Sequence, residues 1–203
     1  EAYNNLGNAL IELDRLDEAE ESCRKAVALQ PEYLEAHINL GNTLQKLARF
    51  EEAETSYRQA IILNYDYAEA HYNLGNTLRR LGRFKEAEPC YRQAIVLKSD
   101  YAEAYYSLGN TLKELGWLDE VEASYTQAIA LKPDLAEAHY NLGVTLQELG
   151  RLDEALASCT QAIALKPDYA EAHRVLTSMK KFDAQDEQYS KMLEIYLNED
   201  ISE

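Results

Sequence analysis

Residues 70–78 read AHYNLGNTL, and the phrase returns as AYNNLGNAL (2–10), AHINLGNTL (36–44), AYYSLGNTL (104–112) and AHYNLGVTL (138–146). Each copy stands 34 residues from the last, and a decayed sixth begins at AHRVLTSMK (172–180). A fixed period of this length marks a chain built from stacked supersecondary units. Inside the third unit Ala70, Leu74, Leu78 and Leu81 fall at spacings of four, four and three, one apolar stripe on a helix. Gly82 ends that helix, because glycine enters the left-handed conformation without a Cβ clash. A second stripe follows in Phe84, Ala87, Tyr91, Ala94 and Ile95, and the unit closes at Lys98-Ser99-Asp100, where sister units carry Pro31, Pro133 and Pro167. Each unit is therefore expected to be a helical hairpin.

One hairpin cannot bury two stripes, so hairpins must stack, and the array is expected to be an all-α solenoid. Small residues recur where helices must approach closely: Gly7, Gly41, Gly75, Gly109 and Gly143 in first helices, and Ala26, Ala60, Ala94, Ala128 and Ala162 in second helices. Ala19, Ala53, Ala87 and Ala155 repeat as well, with Val121 the exception. The repeats are expected over 1–34, 35–68, 69–102, 103–136 and 137–168, one domain of residues 1–168. Residues 169–203 hold the decayed repeat and a capping helix over Asp186–Leu197, with Tyr189, Met192, Leu193 and Tyr196 on one face. Pro89 falls inside a second helix but close behind its first turn, so a slight bend is expected there without a break.

The chain of 203 residues carries 20 Lys and Arg against 36 Asp and Glu, a net charge of −16. That balance repels phosphate backbones and anionic lipid, and no apolar run reaches membrane-spanning length, so neither nucleic acid nor a membrane is expected as partner. Cys23, Cys90 and Cys159 form no spaced pair, which suits a reducing, cytoplasmic setting. Glu1 opens the chain without an initiator Met and already reads as helix, so a piece of a longer protein is expected, with any targeting signal elsewhere.

An aromatic or His, then Leu-Gly, a small residue, an aromatic, another Ala and a closing Pro recur through the five units, and this pattern resembles the tetratricopeptide family. His often stands for the first aromatic, Leu10, Leu44, Leu78, Leu112 and Leu146 stand for another, and Tyr65 and Ser99 replace the closing proline. The resemblance implies a right-handed superhelical α-solenoid of helix-turn-helix hairpins whose first helices line a concave groove, with a protein or extended peptide as partner. The clamp of chaperone-binding members needs Lys and Arg where this chain has Glu69, Asn4 and Glu103, so that clamp is absent. The stretch AHRVLTSMKKF (172–182) resembles the exit from repeat arrays that precede sulfotransferase-like domains in bacterial proteins.

With Leu74 placed at the core, a wheel of 100° per residue turns Glu69, Tyr72, Asn76, Arg79 and Arg80 away from it, and Asn73 onto the flank. Three columns face the groove that the resemblance implies. One is Asn5, Asn39, Asn73, Ser107 and Asn141; another is Asn8, Asn42, Asn76, Asn110 and Val144. The third is Asn4, Ile38, Tyr72, Tyr106, Tyr140 and Arg174. Asn is a poor mid-helix residue, yet its amide offers a donor and an acceptor, the pair that grips an extended backbone. The first column resembles the asparagine ladder of O-linked N-acetylglucosamine transferases. A second reading stays open, in which these amides bond to neighbouring helices and hold register. On the first reading, alanine at Asn39, Asn73, Asn76 and Asn110 is expected to abolish capture of a peptide bound with micromolar affinity while leaving helicity intact. The tyrosines serve either as rigid anchors or as packing between helices. Arg79, Arg80 and Lys113 form a basic cluster toward the helix ends, open to an acidic group or to solvent. The row Glu1, Glu35, Glu69, Glu103, Glu137 and Glu171 complements the first-turn helix dipoles.

No catalytic role, cofactor or metal is expected. His37, His71, His139 and His173 share a column with Tyr3 and Tyr105, so aromatic packing explains them. Cys23 and Cys159 share the column of Tyr57, Tyr91 and Tyr125 as core fillers, and no phosphate loop or nucleophile elbow is present. Two other functions stay open beside scaffolding: a substrate-recognition module of a larger glycosyltransferase- or sulfotransferase-like enzyme, and self-association.

Overall fold

Leucine and alanine at spacings of three and four run through each half-unit, and each half-unit is one helix in the computed structural model, which describes residues 1–179. The helices are α1 (Ala2–Glu12), α2 (Leu16–Leu29), α3 (Leu34–Lys46), α4 (Phe50–Leu63), α5 (Ala68–Arg80), α6 (Phe84–Leu97), α7 (Ala102–Leu115), α8 (Leu118–Leu131), α9 (Ala136–Glu148), α10 (Leu152–Leu165) and α11 (Ala170–Met179). First helices α3, α5, α7, α9 and α11 begin at Leu34, Ala68, Ala102, Ala136 and Ala170, which keeps the 34-residue step of the sequence. The expected capping helix over Asp186–Leu197 lies outside the described residues. Helix α6 runs unbroken through Pro89, since so early a proline forfeits little of the hydrogen-bond ladder.

Packing divides the chain between Ala138 and His139. In the unit before that point each helix from α1 to α7 packs on its successor, and α1, α3 and α5 each also touch the next first helix. Large side chains fill the hairpins: Tyr57, Tyr91 and Tyr125 are fully buried, as are Ala53, Ala87 and Val121 beneath them. Room for the rings comes from missing side chains opposite. A Cβ on Gly41 would stand 2.6 Å from the Tyr57 ring, and one on Gly75 2.8 Å from the Tyr91 ring. In the unit after Ala138, α10 packs on α11, and Gly143 of α9 lies against the buried Cys159 of α10.

Every hairpin turn needs one left-handed residue, and the need recurs with the repeat. Asp14, Ala48, Gly82, Gly116 and Gly150 have φ of 56°, 57°, 72°, 76° and 77°. Glycine bears this without strain, whereas an L residue there costs roughly 1–2 kcal/mol. Ala48→Gly is therefore expected to raise the unfolding free energy by about 1 kcal/mol, read as a higher urea midpoint at unchanged slope.

Second helices are laced together by ion pairs at the same period. Arg49 Nη1 lies 2.7 Å from Glu20 and Arg83 Nη1 2.6 Å from Glu54, while Arg24 Nη2 reaches Glu52 at 2.8 Å and Arg92 Nη2 reaches Glu120 at 2.6 Å. Each Arg that opens a second helix also bonds the Glu three residues on, as Arg83 does with Glu86. Arg49 followed by Arg24 holds the Glu52 carboxyl below the usual carboxylate range, and Arg83 does the same for Glu86. A carboxyl whose pKa is lower folded than unfolded adds stability above its unfolded pKa, about 4.3, and loses it as pH falls through the folded value. The melting temperature is thus expected to be flat at neutral pH and to fall below pH ~4, less steeply in an Arg83→Gln variant that lacks the pairs.

Candidate functional site

Side chains of α3, α5 and α7 bond to neighbouring helices and reveal how the asparagines are used. Tyr57 Oη donates to Asn42 Oδ1 at 2.7 Å, Tyr91 Oη to Asn76 Oδ1 at 2.8 Å and Tyr125 Oη to Asn110 Oδ1 at 2.8 Å. The residues of each pair are 15 apart, facing each other across one hairpin, so a buried phenol finds its acceptor on the partner helix. Burial pushes the Tyr57 and Tyr91 hydroxyls above their ordinary range and keeps them as donors. The first column ties one repeat to the one before it. Asn39 Nδ2 donates to Asn4 Oδ1 at 3.0 Å, and Asn73 Nδ2 to Asn42 Oδ1 at 3.3 Å.

The acceptors of Asn42, Asn76 and Asn110 are thus spent within the chain, and what Asn42 and Asn76 hold out is the donor half of the amide. Asn5 and Asn8 are exposed, and the Asn8 partner position across the hairpin holds Cys23, which has no hydroxyl to donate. Ser107 is buried. Tyr72 and Tyr106 are half-buried: Tyr72 lies 4.8 Å from Tyr101 and 6.0 Å from Tyr91 between ring centroids, and Tyr106 lies 6.0 Å from Tyr125. They pack between helices and stay partly exposed. In the unit after Ala138, Tyr140 lies 5.0 Å from Tyr169, and the Asn141 carbonyl accepts from Thr145 at 2.8 Å.

A cavity of about 480 Å³ gathers Tyr72, Asn76, Arg79, Arg80, Tyr106 and Ser107 from the sequence columns. It adds Gln45, Lys46, Phe50, Glu103 and Leu135, of which Lys46 stands 34 residues before Arg80 and could have been found by that step. Lys113, grouped with the arginines on sequence, does not line it. Arg79 Nε is buried there without a hydrogen-bond partner.

The histidine column does more than pack. His37 Nε2 lies 2.8 Å from the Pro31 carbonyl, His71 Nε2 2.8 Å from that of Tyr65 and His173 Nε2 2.9 Å from that of Pro167, so each ring ties its helix to the loop six residues back. Aromatic packing alone misses this bond, which phenylalanine could not make. Burial raises the thiols of Cys23 and Cys159 and pushes Cys90 up to about 11, the opposite of what a nucleophile needs. Among the described residues no three His, Cys, Asp or Glu side chains group to hold a metal ion, and no helix is long and apolar enough to cross a membrane.

Comparison with known proteins places these features in a wider set. Four models of the tetratricopeptide repeat match residues 1–63, 38–102, 102–135 and 136–169. No curated protein matches the chain. Among solved structures the chain is similar to YrrB, described as a TPR protein with an unusual peptide-binding site, at 27% identity and a TM-score of 0.75 over 86% of this chain and 90% of that one. It is similar to MamA at 26% identity and a TM-score of 0.75, over 81% and 96% of the two chains. To TTC0263 of Thermus thermophilus, described as a thermophilic TPR protein, it is 26% identical with a TM-score of 0.64, over 88% and 97%.

Proposed function

Because this chain belongs to the tetratricopeptide repeat family, whose fold is that of a protein-interaction scaffold, we propose that α3, α5 and α7 bind an extended peptide segment of a partner protein along their inner face. The observation that carries the reading is the Asn76 amide. Its oxygen is held by Tyr91, which orients the group; the residue lines the cavity, and its Nδ2 bonds none of the described residues. An oriented donor beside the edges of Tyr72 and Tyr106 suits a peptide carbonyl and a flat apolar side chain, and it selects little by sequence. The likeness to YrrB, with its peptide-binding site, supports the same class of guest. The reading assigns the chain no reaction, and in the second unit Asn141 and Tyr140 are candidates by sequence position alone.

Asn76→Asp separates the two uses of this amide, since the carboxylate still accepts from Tyr91 but offers no donor. Calorimetry with the capped peptide acetyl-(Gly-Tyr-Ser)4-amide is expected to give micromolar binding to the native chain and at least about tenfold weaker binding to N76D, with melting temperature nearly unchanged. Equal affinity for both proteins, or no binding to either, contradicts the proposal.

A further inference from the structure

We propose that the inner-face cavity receives a carboxylate of the bound peptide between Arg79, Arg80 and Lys46, whether from an acidic side chain or from a chain terminus; this rests on the peptide-binding reading above. The chain has 36 acidic residues for 20 basic ones, so an arginine rarely lacks a carboxylate. Arg49, Arg58, Arg83 and Arg92 all lie in ion pairs with glutamates. Among the described residues Arg79, Arg80 and Lys46 form none, although all three line one cavity.

Position at a helix end accounts for part of this. All three lie in the last turns of α3 and α5, where a cation complements the helix dipole. A dipole does not explain why Arg79 Nε is buried and unsatisfied, which costs free energy unless a guest supplies the acceptor. The Arg79 guanidinium is also placed in advance: it stands beside the Tyr91 hydroxyl, where it opposes the rise that burial imposes on that phenol. Tyr91 in turn holds Asn76, so cation and amide share one anchor.

The charge count selects the guest. Three cations face one acid, Glu103, whose carboxylate is itself 3.4 Å from Lys132 Nζ. That local excess suits one or two carboxylates, which a planar guanidinium matches with paired hydrogen bonds. A long polyanion would meet the −16 charge of the rest of the chain. The site differs from the clamp excluded on sequence, because its cations lie in the last turn of the first helices.

Three peptides test this by calorimetry at low ionic strength: acetyl-Gly-Tyr-Ser-Glu-Glu-Ser-Tyr-Gly-amide, its Gln-Gln counterpart, and the Gln-Gln peptide with a free C-terminal carboxylate. The Glu-Glu peptide, the free-terminus peptide or both are expected to bind about tenfold tighter than the capped Gln-Gln peptide, and which one does so identifies the source of the carboxylate. The preference is expected to shrink with added salt and to vanish in R79Q/R80Q, read as the ratio of the Glu-Glu and Gln-Gln affinities within that variant. If R79Q/R80Q melts early, R80Q/K46Q keeps the test, since both of those side chains are exposed. Equal affinities for all three peptides, or a preference that survives both variants, overturns the carboxylate site and leaves the groove standing. No binding of any peptide overturns both.

Discussion

Tyr91→Ala is expected to lower the unfolding free energy by about 3–5 kcal/mol, the cost of emptying a ring-sized space in a packed core. Tyr91 is fully buried, and its ring occupies the space that Gly75 leaves by lacking a Cβ, 2.8 Å from where that atom would stand. Alanine on α6 and glycine on α5 would then face each other across a void that two backbones held by their neighbours cannot close. Tyr91→Phe separates the ring from the hydroxyl: it keeps the packing and frees Asn76 Oδ1, for a loss of about 1 kcal/mol. Urea unfolding of the two variants reads both numbers. A small loss for Tyr91→Ala would mean that the hairpin is not held from within by this ring.

The four-site variant N39A/N73A/N76A/N110A is expected to lose peptide capture, and stability with it. On the guest-binding reading, one of the two that the sequence leaves open, removing these asparagines should leave the helices untouched. The structure changes that expectation. Asn76 and Asn110 accept from the buried Tyr91 and Tyr125 hydroxyls, and Asn39 and Asn73 bond to the preceding repeat. Two buried hydroxyls stripped of acceptors cost about 1–3 kcal/mol each, so a loss of about 2–6 kcal/mol is expected from them alone. Thermal melts followed by circular dichroism check it. An unshifted melt would show that the Tyr–Asn bonds contribute nothing, and N76D would then lose its value as a probe of binding.

How far the sequence carries can be judged from single positions. The helices and their 34-residue step were legible because burial on one face forces spacings of three and four, and glycines such as Gly41 and Gly75 marked where a ring would sit. The left-handed turn residue was legible at Gly82 and hidden at Asp14 and Ala48, because a backbone requirement met at some cost leaves no residue signature. A helical wheel showed which asparagines face inward, but it holds one helix at a time, and the partners of these amides lie on other helices. One trace was there to be used. Where the tyrosine of the hairpin becomes Cys159, the asparagine across from it becomes Val144, although Asn8 stays opposite Cys23. Lys46 was missed because the basic cluster was carried forward one repeat, from Arg79 to Lys113, and not back one repeat from Arg80.

The central claim is that a guest lies on the first helices. Amide chemical-shift mapping with acetyl-(Gly-Tyr-Ser)4-amide tests it most directly, since each helix reports separately. The account predicts shifts gathered on α3, α5 and α7, strongest around Tyr72, Asn76 and Tyr106, with α4, α6 and α8 quiet on their outer turns. Shifts concentrated instead along the outer faces of α4, α6 and α8, around the Arg–Glu pairs, would contradict it.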